Sequence, residues 1–331
     1  MLDDLGRKGR RAFLGGRLLG RAVRGAITWD RTDRRDPRWW PQGVTTSADA
    51  SDTEDHEGRR LLLVSWYAKE QPDDESGNHG SRITVLDLDS RRYRHVLLVV
   101  PTLTDGVLGM EPLKVHAGGI VWLGPYLHVA ATARGVVTCR LDDILRVPDD
   151  VGADLARLAV EDGLVSTYGY KYVLPVRFSY RAVTGDGLER LRYSFLSLDR
   201  AAEPMQLVVG EYGNSSQTRR LARYPLDPET LVLAAGDDGA SRPLGLEEHG
   251  AVRMQGAAIA RGTWYVTAST GPWVPGSVYV GHPGSWRRFK WATPPGPEDV
   301  ALWPSTDELW SVTEHPRRRW VYAMRRGFFD R

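Results

Sequence analysis

The 331-residue chain contains a single cysteine, Cys139, so it can form neither an internal disulfide nor a cluster of cysteine metal ligands. No stretch reaches the roughly 18 apolar residues of a transmembrane helix, and we predict no membrane span. The sequence also lacks a phosphate-binding loop, a G-x-S-x-G nucleophile motif and a dinucleotide-binding G-x-G-x-x-G motif after a strand. These absences disfavour nucleotide hydrolysis and hydride transfer.

Tryptophan, tyrosine, glycine and proline are abundant, with 12 Trp, 13 Tyr, 35 Gly and 20 Pro. This mixture favours many short strands separated by turns. The net charge is +2, but residues 1–40 hold eleven Lys or Arg against five Asp, which leaves about −4 for the remaining residues. Attraction to anions is therefore expected at the N-terminal segment only, and no nucleic-acid partner is predicted.

The N-terminal segment begins with a motif that resembles a twin-arginine export signal, at residues 10–14. Arg17, Arg21 and Arg24 interrupt the apolar stretch that such a signal needs, and no small-residue cleavage site follows. We therefore expect a cytoplasmic protein, with export through this degenerate signal as the alternative. Residues 1–38 are predicted to form a basic helical arm that packs on a domain spanning residues 39–331.

Three segments, at residues 116–129, 255–266 and 298–312, share one pattern. In each, a polar residue and small residues precede an apolar residue, and a turn leads to a strand about ten residues after the start. A fourth unit begins at Gln42, and an irregular fifth unit begins near residue 166. The sequence thus predicts an all-β fold, a single β-propeller of five blades; a sixth blade would have to lie in residues 210–250.

Several segments also resemble uncharacterised β-propeller proteins of actinobacteria, many of which look secreted. The resemblance rests on Gln42 to Asp49, Val115 to Gly119, Tyr172 to Pro175, Val209 to Tyr212 and Thr313 to Pro316. It covers nearly the whole chain after residue 40 and implies a propeller fold, but it implies no catalytic residue. The chain departs from this family because it lacks a clear signal peptide.

The first strand of each propeller blade lines the central channel, so equivalent residues of successive blades form a ring. The repeat places Gln42, His116, Gln255 and Glu298 on this ring, with Tyr168 as the residue from the irregular unit. Packing requires small residues there, but it does not require an imidazole, two amides and a carboxylate. We predict a small-molecule site in which His116 and Glu298 are the general acid and base.

Gln42 and Gln255 would orient the substrate of this site by hydrogen bonds, and Trp40 would line its wall. Glu314, in the turn before the last strand, is a secondary candidate for substrate binding. We predict no metal site and no cofactor, because no motif fixes a ligand geometry. Glu298, Asp299 and Glu314 nevertheless supply the oxygen ligands that Ca²⁺ or Mg²⁺ prefers, which keeps a divalent cation open as an alternative.

The sequence therefore favours an enzyme that acts on an organic small molecule by cofactor-independent acid–base chemistry. Cyclisation, isomerisation and hydrolysis all fit, and specialised metabolism is the expected setting. Two alternatives stay open. The first is a non-catalytic propeller that binds a carbohydrate or a peptide, and the second is an interaction scaffold whose channel only holds water. An acid–base pair within reach of one ligand would favour the enzyme. The oligomeric state is not predicted.

Overall fold

The computed structural model describes residues 1–12, 19–71, 77–149, 153–161 and 163–331. Strands dominate these residues, as predicted for an all-β chain. Within the described ranges, no helix has the length and apolar character that crossing a membrane would need.

Three strands and a helix lie ahead of the first repeating unit. After a short 3₁₀ turn at Leu2–Asp4, they are β1 (Arg7–Lys8), β2 (Arg10–Arg11), β3 (Val23–Thr28) and α1 (Arg31–Arg35). The first four-stranded antiparallel sheet, unit 1, follows as β4 (Trp39–Thr46), β5 (Leu61–Ala68), β6 (Ser81–Asp87) and β7 (Arg92–Thr104), with the one-turn helix α2 (Ser47–Ala50) after β4. Strand β8 (Val107–Pro112) forms a hairpin with the end of β7.

Unit 2 is built from four strands with a long excursion before the last. Its strands are β9 (Ile120–Leu123), β10 (Tyr126–Ala131), β11 (Gly135–Arg140) and β15 (Tyr172–Arg181). The excursion contains a 3₁₀ turn at Leu141–Asp143, β12 (Leu145–Arg146), β13 (Leu158–Glu161) and β14 (Leu164–Thr167). A short parallel pairing of β15 with β7 joins units 1 and 2 into one larger sheet.

Three further antiparallel units complete the described chain. Unit 3 is β16 (Phe195–Asp199), β17 (Gln206–Gly210), β18 (Leu221–Pro225) and β19 (Gly245–Glu247). Unit 4 is β20 (Met254–Ala260), β21 (Thr263–Ala268), β22 (Ser277–His282) and β23 (Ser285–Phe289). Unit 5 is β24 (Pro297–Trp303), β25 (Glu308–Thr313), β26 (Trp320–Arg325) and the N-terminal β3, before a 3₁₀ turn at Arg326–Asp330.

The first strands of the five units contact one another in a closed ring, in the order β4, β9, β16, β20 and β24. A separate hydrophobic cluster lies between each pair of neighbouring units, so the sheets are covered on both faces. This explains why strands such as β5 are apolar at nearly every position instead of alternating strictly. The arrangement is that of a β-propeller.

Unit 3 differs from the predicted irregular unit. Residues 172–181, expected to begin its first strand, are the outermost strand of unit 2, and the first strand of unit 3 begins at Phe195. Residues 210–250, where a sixth unit would have had to lie, supply the two outer strands β18 and β19 of unit 3.

The N-terminal segment does not form the predicted helical arm in its described part. Strand β3 pairs with β26 and closes the ring, and β2 pairs with β3. The prediction of a helix was wrong for Val23–Thr28, because the open edge of β26 gains backbone hydrogen bonds from an extended partner. Residues 13–18, which contain Arg17 and the apolar part of the predicted helix, lie outside the described residues.

A buried carboxylate in α1 ties this segment to unit 1. Asp33 accepts hydrogen bonds from Tyr93 Oη at 2.7 Å and His95 Nε2 at 2.9 Å, and it pairs with Arg82 Nη2 at 3.3 Å and Arg7 Nη1 at 3.2 Å. Burial lowers the pKa of His95 to about 4, so the imidazole is neutral and its Nε2–H donates to Asp33. We call these five residues the Asp33 hub.

Candidate functional site

A cavity of about 390 Å³ opens where the first strands of the ring begin. Its walls come from all five units, because every first strand starts at this end of the ring. Eleven residues line it: Gln42, His116, Gly118, Thr132, Arg192, Ser194, Tyr212, Gln217, Gln255, Glu298 and Glu314. Five of the seven residues proposed from the sequence are thus brought together in one cavity.

Three of these five lie at irregularities in their strands. The pairing of first and second strands shifts register beside Gln42, Gln255 and Glu298, in units 1, 4 and 5. A β-bulge leaves a residue outside the ladder and redirects its side chain. The bulge therefore explains why a polar residue recurs at the start of the first strand, and why it faces the cavity instead of the sheet interior.

Glycines let the first strands approach closely below the cavity. A Cβ added to Gly119 would lie 2.0 Å from the backbone nitrogen of Leu196, in the next unit. A Cβ added to Gly256 would lie 2.5 Å from Cα of Asp299. Any side chain at these two positions would push neighbouring units apart, so the glycines next to the polar residues are required by the narrow ring.

Two glutamates form the acidic part of the cavity, each beside a glutamine. Gln255 Nε2 donates to Glu298 Oε1 at 3.4 Å, and Gln42 Nε2 donates to Glu314 Oε2 at 3.3 Å. Glu298 is 3% exposed, whereas Glu314, which directly follows β25, is half-buried nearer the mouth. Each carboxylate thus receives one amide donor, which is fewer than a buried carboxylate needs.

The pKa values of both glutamates are raised. Burial raises the pKa of Glu298 well above its usual value, and the charges of Glu314 and Asp299 add to the effect. Burial also raises the pKa of Glu314 to about 7, against the smaller opposing effects of the Gln42 hydrogen bond and of Lys69 and Arg319. The raised pKa favours the protonated form of Glu298, and Glu314 is close to half ionised at neutral pH.

His116 occupies the mouth of the cavity and stacks on Tyr67, with ring centroids 4.3 Å apart and 27° between the planes. His116 reaches solvent, but the protein atoms around its ring lower its pKa by desolvation, so it is neutral at pH 7. Burial, followed by the charges of Glu314 and Glu298, raises the pKa of Tyr67 to about 12. The two rings therefore present neutral polar atoms beside the carboxyl pair.

Two residues proposed from the sequence lie elsewhere. Tyr168 precedes the outermost strand of unit 2 and stacks on His79, with centroids 3.9 Å apart, so its proposed place on the ring was wrong. Trp40 does not line the cavity; it donates from Nε1 to the Pro37 carbonyl, and its ring contacts His315 edge-on. Trp40 is thus a supporting residue behind the loop that carries Glu314.

Unit 3 contributes residues that the sequence pattern missed, chiefly Ser194 and Arg192. Ser194 directly precedes β16, the position that Tyr168 was expected to fill. Arg192 is held by its Nη1 donation to Glu189 Oε1 at 2.9 Å and its Nη2 donation to the Thr218 carbonyl at 2.8 Å. One sequence signal for this first strand was available. An apolar run begins at Phe195, directly after the polar residue Ser194, and the other first strands also follow a polar residue.

Asp299, the third carboxylate of the possible cation site, does not line the cavity. Its Oδ2 accepts the Val44 N–H at 3.2 Å, which fastens unit 5 to unit 1. Burial raises the pKa of Asp299 well above its usual value. Within the described ranges, no group of three His, Cys, Asp or Glu residues is arranged to hold a metal ion.

No family model matches the sequence, and no curated protein matches it. Solved structures similar to this chain include a gluconolactonase from Xanthomonas campestris, with 13% identity, a TM-score of 0.39 and coverage of 96% of this chain and 84% of that chain. A GH43 enzyme from Xanthomonas citri has 8% identity, a TM-score of 0.37 and 86% coverage of both chains.

The β-propeller domain of Cps50 (Swd1) from Myceliophteria thermophila has 9% identity and a TM-score of 0.38, with coverage of 86% of this chain and 96% of that chain. Enzymes and a domain without a stated activity thus occur together among the similar structures. At such low similarity they assign neither a substrate nor an activity to this chain, and its propeller-like architecture is established by its own strand pairing.

Proposed function

We propose that this chain is an enzyme that acts on a small organic molecule by acid–base catalysis in the cavity. One observation carries the proposal: Glu298 and Glu314 share one cavity, and burial raises the pKa of Glu314 to about 7 and that of Glu298 well above its usual value. Two titratable groups held in different protonation states are what general acid and general base catalysis need.

Glu314, in its ionised form, would be the general base. It lies nearer solvent than Glu298 and titrates at about pH 7, where a base is both populated and strong enough to accept a proton. Gln42 donates to Oε2, and Oε1, which lies 3.5 Å from His315 Nε2, would accept a substrate proton. The electrostatic coupling of Glu298 is with Glu314 and not with His116, so His116 is assigned to hydrogen bonding with the substrate.

Glu298, in its acid form, would donate a proton to the substrate atom on which negative charge develops. Gln255 Nε2 contacts Oε1, which orients the carboxyl group. In one turnover Glu314 gains a proton and Glu298 loses one, and exchange with solvent restores both groups. This chemistry serves hydrolysis, isomerisation and cyclisation alike, and it uses only the side chains of the cavity.

The test compares turnover in matched variants. 4-Nitrophenyl esters, 4-nitrophenyl glycosides and sugar lactones would be screened with the wild-type protein, and the best substrate would then be measured with Glu298→Gln and Glu314→Gln. We expect kcat/KM to fall about a hundredfold or more in each. Glu308→Gln is the control, because Glu308 is also buried but pairs with Arg24 at a separate surface. Unchanged turnover in both cavity variants would refute the proposal.

The pH dependence sharpens the test. If Glu314 is the base, kcat/KM rises as the pH passes through about 7 and falls again above the raised pKa of Glu298. Glu314→Gln would abolish the rise of kcat/KM near pH 7 and keep the fall of kcat/KM at higher pH. If kcat/KM of this variant still rises near pH 7, the general base is another group.

A non-catalytic carbohydrate binder is the second candidate, favoured by the three amides and the half-exposed Tyr212 that line the cavity. Binding of neutral sugars without turnover, unchanged between wild type and Glu298→Gln, would support this function over catalysis.

A further inference from the structure

A smaller pocket of about 270 Å³ adjoins the cavity at its mouth. His116 and Thr132 line both, so they form the wall that the two share. The other lining residues of the smaller pocket are Tyr67, Ala68, Asn78, Lys114, Val115 and Arg134. Units 1 and 2 supply all of them, and no Asp or Glu is among them.

Two cations face this pocket without a counter-charge. Among the described residues, neither Lys114 nor Arg134 forms an ion pair or a side-chain hydrogen bond. Tyr67 and Asn78 add a phenol and an amide to the wall. The pocket therefore contains mainly donors, whereas the adjoining cavity contains the carboxyl pair.

The backbone at both cations is fixed, so their side chains start from defined positions. Arg134 lies in the tight turn between β10 and β11, where its N–H donates to the Ala131 carbonyl at 2.7 Å and its own carbonyl accepts from Ala182 N at 2.8 Å. Lys114 lies between two anchored residues: Leu113 N donates to the Leu98 carbonyl at 3.0 Å, and the Val115 carbonyl accepts from Ser81 Oγ at 2.6 Å.

We propose that this pocket is an anion subsite, which holds a carboxylate, sulfate or phosphate group of the substrate while the reacting part lies in the cavity. This proposal rests on the proposed function. Lys114 and Arg134 would supply charge-assisted hydrogen bonds to the anion, and Arg134 can present two parallel N–H groups. The wall of His116 and Thr132 would lie between the anionic end and the carboxyl groups of Glu314 and Glu298. The substrate class is thus an organic acid with a neutral reactive group.

The experiment measures the preference for an acid over its neutral methyl ester. Glucuronic acid, benzoic acid and hexanoic acid, each with its methyl ester, would be titrated by isothermal calorimetry and ligand-observed NMR. We expect the wild-type protein to bind at least one acid about tenfold more tightly than its ester, with a preference that weakens as KCl is added. The preference should disappear in the double variant Lys114→Met and Arg134→Met.

The matched control is Lys290→Met with Arg325→Met, which removes the same charge from exposed positions on units 4 and 5. It should keep the full preference. Equal binding of acids and esters by the wild type, or a preference that survives in the Lys114 and Arg134 variant, would overturn the subsite. A loss of preference in the control variant would show a general charge effect and would overturn it as well.

The failure of the subsite and the failure of the proposed function remain distinguishable. If acids bind as expected but Glu298→Gln leaves all turnover unchanged, the anion subsite is supported and the catalytic assignment falls. If turnover depends on Glu298 while acids and esters react equally well, the catalytic assignment is supported and the subsite falls.

Discussion

The Asp33 hub and the cavity glutamates are both buried acidic sites, but their pKa values shift in opposite directions. Burial alone would raise the pKa of Asp33, but its contacts with His95 and the charges of Arg82 and Arg7 together hold it well below the usual range. Burial also acts on Glu298 and Glu314, which have one amide donor each, and their pKa values rise. The charges and hydrogen bonds around each carboxylate, and not burial alone, separate the two sites.

This difference indicates which site stabilises the fold and which one is available for chemistry. A carboxylate with four partners fastens α1 and the N-terminal strands to unit 1, and it has no capacity left for a ligand. The glutamates of the cavity leave hydrogen-bonding capacity unused, which costs stability but allows them to exchange protons with a substrate.

Asp33→Asn should have the largest effect on stability, because it leaves Arg82 buried without its carboxylate. We expect the free energy of unfolding at pH 7 to fall by about 3–5 kcal/mol. Since the pKa of Asp33 is lower in the folded state, the wild type should also lose this stabilisation as the pH falls below about 3.8. Urea unfolding at several pH values measures both effects.

Asp30→Asn is the control for this change, because Asp30 begins the same helix but is more exposed, and asparagine keeps the cap hydrogen bond to Asp33 N. Asp30→Asn should lower the free energy of unfolding by less than about 1 kcal/mol. An equal loss of stability in the Asp33→Asn and Asp30→Asn variants would show that the Asp33 hub does not stabilise the fold more than an exposed ion pair does.

Glu314→Gln should act in the opposite direction and stabilise the protein at high pH. The folded-state pKa of about 7 lies above the ordinary value of 4.5, so the wild type loses stability as the pH rises from 4.5 through 7. Glutamine cannot ionise, and the variant should be about 3 kcal/mol more stable than the wild type at pH 8, with little difference at pH 4. Urea unfolding at the two pH values measures this, and equal differences at both would contradict the raised pKa.

The sequence predicted the propeller correctly in the units where the local residue pattern matches the position that the strand takes in the folded unit. In units 2, 4 and 5 a polar residue, small residues and a following strand repeat at one spacing, so His116, Gln255 and Glu298 could be identified. Unit 3 was missed because β15 reads as a strand in the local sequence, whereas its place in unit 2 is set by pairing with β11 and β7.

The parts of the site that depend on distant partners could not be predicted. Gln42 and Glu314 are 272 residues apart, and their contact exists because unit 5 closes against unit 1. The same closure turns β3 into a strand, which no local helical or strand pattern specifies. Tyr67 was overlooked for a related reason: it lies at the end of an apolar second strand, and its contact with His116 comes from the packing of unit 1 against unit 2.

The smallest predicted effect compares two tyrosines on unit 1. Tyr93 Oη donates to Asp33 and accepts the Asp30 N–H, so Tyr93→Phe should lower the free energy of unfolding by about 1–2 kcal/mol. Tyr67 Oη forms no hydrogen bond with the described residues and faces the anion pocket, so Tyr67→Phe should leave stability unchanged and weaken only the binding of acids. Urea unfolding and calorimetry on the same two variants test this directly. A similar loss of stability in both would mean that the phenol of Tyr67 supports the fold and is not reserved for a ligand.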